Sequence, residues 1–234
     1  MIPVLGVPVL NRPDLLYTML NSTNHEIERV VIVDNGDVVP DITNTNVRVI
    51  RSGHNLGVSA SWNLIIKSTP VSPWWLFTNS DIEFAPDDLA RVADYMNNGG
   101  QAAILGTYSV LAISKDALEK VGWFDENFAP AYFEDNDYDY RCRLAGVEVV
   151  ALPCGYVHQI SSTIKSSPSY KMQNDLGTYP ANKAYYVEKW GGLPMEETFT
   201  TPFNKGGDHR SWYVDLSRLA RQAWRVDPPS EGEQ

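Results

Sequence analysis

The sequence predicts an α/β chain: a mainly parallel, twisted sheet with helices on both faces, extended at its C-terminal side by further helices. Two observations lead there. Short apolar runs without polar alternation recur, above all at 30–33 and 74–78, and such runs read as strands buried on both faces. Between them lie stretches with apolar residues at helical spacing, so strand and helix alternate through the first half of the chain. A third observation gives the sheet a working end. The two runs stop in polar residues that include a carboxylate, Asp34 after the first and Asp81 after the second. In open α/β sheets, ligands bind beyond the carboxyl ends of the strands.

Residues 2–10 form the first strand, interrupted by Pro3 and Pro8. After the loop Leu10, Asn11, Arg12, a helix begins with Pro13 at its first position, where a missing N–H is no loss. Leu15, Leu16, Met19 and Leu20 form its buried stripe. Strands at 30–33 and 47–51 follow, then a helix carrying Val58, Trp62, Ile65 and Ile66 inward, then the strand at 74–78. Pro86 is expected to open a helix with Asp87 and Asp88 in its first turn, where negative charge suits the helix dipole. Strands at 103–106 and 110–113 precede a short helix capped by Ser114 and ended at Gly122. A longer helix spans about 134–145, with Gly146 beyond it, and 147–152 is another strand. Residues 161–175 are polar and serine-rich and read as a mobile loop. Helices are expected at 180–190 and 211–225, the second with Trp212, Leu216, Leu219, Ala220 and Ala223 on one side. The tail, 227–234, reads as disordered. With no repeat and no linker, the chain divides into a core over 1–160 and an extension over 161–226 of the same domain.

Composition narrows the function. Of 234 residues, 43% are apolar and 21% charged, the balance of an ordinary globular protein. A formal charge of −10 argues against non-specific binding to nucleic acid or anionic membrane. No apolar run approaches the roughly 18 residues of a membrane span, and no basic segment precedes an apolar one at the N-terminus. Cys142 and Cys154 make neither a metal-ligand spacing nor a disulfide framework, so they read as buried or partly buried free thiols of a cytoplasmic, reducing compartment.

Several motifs occur in order: Pro8 to Arg12, Ile32 to Gly36, Asn55-Leu56-Gly57, Asn79-Ser80-Asp81, Gly122 to Glu126, and Tyr132 to Asp137 continuing to Arg141 and Gly146. Together they resemble the GT-A family 2 glycosyltransferases, over roughly residues 2 to 160. The resemblance implies transfer of a sugar from a nucleotide-sugar donor (a UDP-, GDP- or dTDP-sugar) to an acceptor hydroxyl, with inversion, and a Mn²⁺ or Mg²⁺ cofactor. It implies that Asp34 and Asn35, with Pro8, Asn11 and Arg12, hold the nucleoside. Asn55 and Gly57 lie where a turn enters a helix N-terminus that favours anions, and Arg12 and Arg51 stand as counter-charges for phosphate. A turn, cap or surface role is the alternative for each of these.

Asp81, with Asn79 and Ser80 before it, resembles the end of the family's DxD signature, the first position departing to Asn. Hard divalent cations take oxygen ligands and often only one or two protein carboxylates plus substrate phosphates, so Asp81 suffices as principal ligand. His158, after the strand at 147–152, is the candidate further ligand. Four acids fall in the six residues 134–139, flanked by Trp123, Phe124, Phe128, Tyr132 and Phe133. Glycosyl transfer needs a carboxylate to take the acceptor's proton, which the resemblance assigns to Asp135, with Glu134 as the fallback. Asp137 and Arg141, at i and i+4, are expected to pair. The implied partners are a nucleotide sugar and an acceptor glycan, lipid-linked saccharide or protein. The alternatives are a sugar nucleotidyltransferase and an inactive nucleotide-sugar or glycan-binding module. Against the first, the loop Leu10-Asn11-Arg12-Pro13 has no glycine.

Overall fold

The structure, a computed structural model, describes residues 1–159 and 162–210. The helix expected at 211–225 and the tail lie outside the described residues. Seven strands form one sheet: β1 (Ile2–Val9), β2 (Ile27–Asp34), β3 (Val47–Arg51), β4 (Trp74–Thr78), β6 (Ala102–Leu105), β7 (Thr107–Ser114) and β8 (Val149–Leu152). Two short strands, β5 (Ile82–Glu83) and β9 (Val157–His158), pair separately. The order across the large sheet is β3-β2-β1-β4-β7-β6-β8, and all neighbours run parallel except β7, which is antiparallel to both β4 and β6.

Helices cover both faces, as the unbroken apolar strands require. In β2, Val30 and Ile32 pack into one core and Val31 and Val33 into the other; in β4, Trp74 and Leu76 face one way, Trp75 and Phe77 the other. The first core is closed by α1 (Pro13–Asn21) and α3 (Asp88–Asn97), through Leu16, Met19, Leu89 and Val92. The second is closed by α2 (Val58–Ser68), α4 (Lys115–Val121) and α5 (Glu134–Ala145), through Trp62, Ile65, Ala117, Val121, Tyr138 and Cys142. Gly6 lets α2 approach β1, since a Cβ there would lie 2.8 Å from the Ile65 side chain.

Most element boundaries follow the local chemistry read from the sequence. Pro13 stands at the start of α1. Ser114 caps α4 by accepting from the Ala117 N–H, and Gly146 ends α5 in the left-handed conformation at φ 67°. Three expectations are corrected. Pro86 does not begin a helix: α3 starts at Asp88, whose carboxylate is turned inward and accepts from the N–H groups of Ala85 and Gly155. Cys142 is buried, which pushes its thiol up to about 12, whereas Cys154 is exposed. The stretch expected as a mobile loop is helical instead. It holds α6 (Ser162–Lys165), α7 (Pro168–Gln173) and a π-helical turn, Asn174–Thr178, running into α8 (Tyr179–Trp190). Ser167 caps α7 by accepting from the Tyr170 N–H, and Pro168 takes its first position, so Ser-Pro marks a helix start and not a break.

The C-terminal helices are fastened to the core by buried charge. Lys189 on α8 donates to Asp125 at 2.7 Å and to Asp137 on α5 at 2.6 Å. Asp137 also accepts from Arg141, as its i,i+4 spacing predicts, and from the Trp190 indole at 2.8 Å. Asp125 accepts from Tyr185 and from Asn127. The four ionic side chains are fully buried and balance two against two, the condition under which ions are tolerated in an interior.

Candidate active site

A cleft opens at the carboxyl ends of β1, β2 and β4. It brings together ten of the residues singled out in the sequence: Pro8, Asn35, Asn55, Gly57, Asn79, Ser80, Asp81, Glu134, Asp135 and His158. Their positions follow from two close approaches of backbone. Gly36 lies against the loop after β1 so tightly that a Cβ would stand 1.6 Å from the Leu10 carbonyl oxygen, and the Asn35 N–H donates to Val9 at 2.6 Å. Gly57, at φ 80°, passes under Pro130, where a Cβ would lie 2.7 Å from the Pro130 oxygen. The Asn35 side chain joins the two regions, accepting from the Leu56 N–H at 2.9 Å and donating to Ser61 at 3.0 Å. Asn55 accepts from the Gly57 N–H. Side chains and glycines thus fix the rim by backbone contact, and Asn35 and Asn55 act on the cleft mainly through the loops they hold.

Asn11, Arg12 and Asp34 do not line the cleft. Asn11 donates to Ser166 at 2.8 Å, tying the loop after β1 to the turn between α6 and α7. Arg12 is left-handed at φ 60° and pairs with Asp14. Asp34 is buried beneath its own turn: its carboxylate accepts from the N–H groups of Gly36, Val38 and Val39 at 2.8–3.2 Å. That geometry gives Asp34 a role in holding its turn. Arg51 likewise donates to the Val39 carbonyl and Asp41 and pairs with Asp37.

Asp81 and His158 face each other because β5 pairs with β9, opposing Ile82 to His158. The His158 Nε2 lies 3.2 Å from the Asp81 carboxylate, and its Nδ1 lies 3.3 Å from the Ser109 hydroxyl. Among the described residues no third His, Cys, Asp or Glu joins them as a metal cluster. A carboxylate oxygen and an imidazole nitrogen suit a divalent cation that draws its other ligands from phosphate and water. Among the described residues no Lys or Arg lines the cleft, so the pair fits a cation arriving with an anionic ligand.

Glu134 and Asp135 open α5 and line the same cleft. Burial, followed by the neighbouring Asp135 charge, holds the Glu134 carboxyl well above the usual carboxylate range. Its Oε2 is buried without a hydrogen-bond partner. Burial also raises Asp135, against the Asn136 N–H, which donates to it at 2.8 Å and pulls the other way. A half-buried carboxylate with a raised pKa is a stronger proton acceptor than one in water.

Sequence reading missed Trp62, Tyr108, Ser109, Pro130 and Ala131 as cleft residues. Trp62 was legible only as a core position, and it does pack on Phe77 and Phe124. Tyr108 and Ser109 sit at the start of β7, which begins three residues earlier than the apolar run at 110–113 suggests; Thr107-Tyr108-Ser109 is itself strand-prone. The Tyr108 hydroxyl donates to Asp139, bracing α5 against the sheet.

A curated relative, a galactofuranosyl glycosyltransferase of Leishmania donovani, is 28% identical over 127 residues, which are 53% of this chain and 27% of that protein. Residues 1–349 of TarS from S. aureus superpose with a TM-score of 0.56 at 16% identity, covering 81% of this chain and 64% of that one. Further TarS structures hold UDP-GlcNAc or UDP. GalNAc-T7, solved with UDP, GalNAc and Mn²⁺, superposes with a TM-score of 0.57 at 11% identity, covering 81% and 50%. The chain thus spans from about a quarter to under two thirds of the length of these proteins. At such identities the superpositions establish the GT-A fold. The model of glycosyl transferase family 2 matches residues 5–141, more than half of the chain, including the cleft residues from Pro8 to Asp135. The chain belongs to glycosyl transferase family 2.

Proposed function

We propose that the chain is a glycosyltransferase that binds a nucleotide-diphosphate sugar in the cleft and transfers the sugar, with inversion, to an acceptor hydroxyl. The observation that carries the reading is that one cleft is lined both by the adjacent Asp81 and His158 and by Glu134 and Asp135, whose carboxyls burial raises. Similar folds hold UDP, UDP-GlcNAc, or UDP with Mn²⁺, which supports a nucleotide-sugar donor.

The loop from Pro8 to Leu10, Asn35 and the Asn55–Gly57 turn would hold the nucleoside, largely through backbone groups. Asp81 and His158 would hold Mn²⁺ or Mg²⁺, with Asn79 and Ser80 beside them. Such an ion, when bound, neutralises diphosphate charge and stabilises the departing nucleoside diphosphate. The cleft suits that help, because among the described residues its lining offers a diphosphate three carboxyl groups and no Lys or Arg. Asp135 takes the proton of the acceptor hydroxyl as that oxygen attacks the anomeric carbon from the face opposite the leaving group. Glu134 keeps its proton to higher pH than Asp135's bulk counterparts and serves as the inner wall of the same site.

A thermal-shift panel of UDP-, GDP- and dTDP-sugars with Mn²⁺ tests the reading. Ligand that binds only the folded state raises its melting temperature by mass action. At least one donor is expected to stabilise the wild type, and Asp81→Asn or EDTA to erase the shift. Stabilisation that persists unchanged in EDTA would remove the metal from the scheme, and no stabilisation by any donor would remove the donor site.

A further inference from the structure

Asp135, Asp139 and Arg143 follow one another at four-residue spacing on α5, so their side chains lie along one stripe of the helix. Two acids four residues apart repel each other, and such a pair persists where its surroundings hold it. Here Asp139 is held from both sides. One of its oxygens accepts from the Tyr108 hydroxyl of β7 at 2.5 Å, and the other accepts from Arg143 at 3.1 Å. Arg143 is itself fixed: it donates to Glu197 at 3.1 Å and lies over the Tyr140 ring, 4.9 Å from its centroid. The Tyr186 hydroxyl donates to the same Glu197 oxygen. Tyr108 lines the cleft with Asp135. Burial, then the hydrogen bond to Asp139 and its charge, hold the Tyr108 phenol far above the usual range, so it stays a donor.

We propose that Asp139 is a positioning residue for the transfer: held by Tyr108 and Arg143, it fixes a negative charge one helical turn from Asp135 and makes that carboxylate a better acceptor of the hydroxyl proton. This rests on the reading of Asp135 as the base and adds a residue that acts through it. Burial is the main cause that raises Asp135, the Asn136 N–H pulls the other way, and the Asp139 charge adds to the rise. The charged neighbours on other sides are accounted for. Glu134 keeps its proton to higher pH, because burial and then the Asp135 charge oppose its ionisation. Asp137, on the inner side of α5, is balanced by Arg141 and Lys189. Across the cleft, Asp81 and His158 lie against each other at 3.2 Å. Arg143 works against Asp139, since its positive charge offsets part of the field that reaches Asp135.

Carboxyl ¹³C NMR of the full chain, labelled at aspartate and followed over pH, reads the Asp135 titration directly. Its resonance is the one missing from Asp135→Asn. Acceptor-dependent release of nucleoside diphosphate over the same pH range reads the titration through the reaction. Asp139→Asn should move both midpoints to lower pH and lower kcat by less than Asp135→Asn does. Arg143→Met should move both midpoints the opposite way, and Arg143→Lys should restore them. The shifts should shrink at about 1 M salt, where charges on the partly exposed stripe are screened. A structural disturbance of α5 would move the two variants in the same direction, and that result would overturn the proposal. Midpoints unchanged in both variants would overturn it too. So would a moved carboxyl midpoint with an unmoved rate profile, because Asp135 would then not be the base. Opposite carboxyl shifts in a protein that releases no nucleoside diphosphate from any donor would leave the hold of Asp139 on Asp135 standing and bring down the transfer reading.

Discussion

Glu134 and Asp135 are held in a state that does not favour the native fold at neutral pH, and the sign of that effect is testable. Both carboxyls are raised in the folded protein, chiefly by burial. A carboxyl raised on folding stabilises the native state below its unfolded pKa, about 4.3 for Glu, and that stabilisation is lost as pH rises through the folded value. Glu134→Gln removes the titration. Its melting temperature should match wild type near pH 4 and exceed it by a few degrees at pH 8, the shift of roughly 1 kcal/mol in a chain of this size. Calorimetry at the two pH values reads the difference. Asp135→Asn should lower kcat by about 10²–10⁴-fold with nucleotide affinity unchanged, the usual share of general-base catalysis. Wild-type kcat should fall with decreasing pH, at a midpoint above that of an aspartate in water, because burial raises Asp135. Asp34 belongs with the turn, so Asp34→Ala should destabilise the chain by about 1–3 kcal/mol in urea unfolding, because three N–H groups lose a buried acceptor.

Between elements, the decisive contact joins α8 to α5. The sequence made the Asp137–Arg141 half of it legible, because i,i+4 spacing is local. Lys189 was not legible, since it meets Asp125 from 64 residues away and Asp137 from 52. A lysine on an otherwise half-exposed helix looks like solvated surface until the fold buries it. Lys189→Met should destabilise by about 3–5 kcal/mol, as removing one partner of a buried ion cluster leaves the others uncompensated. A urea midpoint measures this. A loss under 1 kcal/mol would mean that the cluster does not fasten the two helices. The same distinction explains the stretch 161–175. Its helices depend on a Ser167 cap and on contacts such as Asn11 to Ser166, and serine-rich composition alone reads as loop.

For the whole molecule, the sheet and its helices were legible because doubly buried strands announce themselves as unbroken apolar runs. The cleft was legible because five short motifs end at the same edge of that sheet. What the sequence could not tell was which motif residues face the cleft and which hold its loops; Asp34 and Asn11 belong to the second group. Whether a side chain at a strand end points up or under its turn is decided by backbone hydrogen bonds formed only in the fold. The central claim is that this cleft moves a sugar from a nucleotide donor, with Asp135 as the base. The most direct measurement is acceptor-dependent release of nucleoside diphosphate, followed for wild type and for Asp135→Asn at equal donor occupancy. The account predicts release by the wild type that stops in EDTA, and a rate about 10²–10⁴-fold lower in the variant. Equal rates in the two proteins, or release of pyrophosphate in place of nucleoside diphosphate, would contradict it.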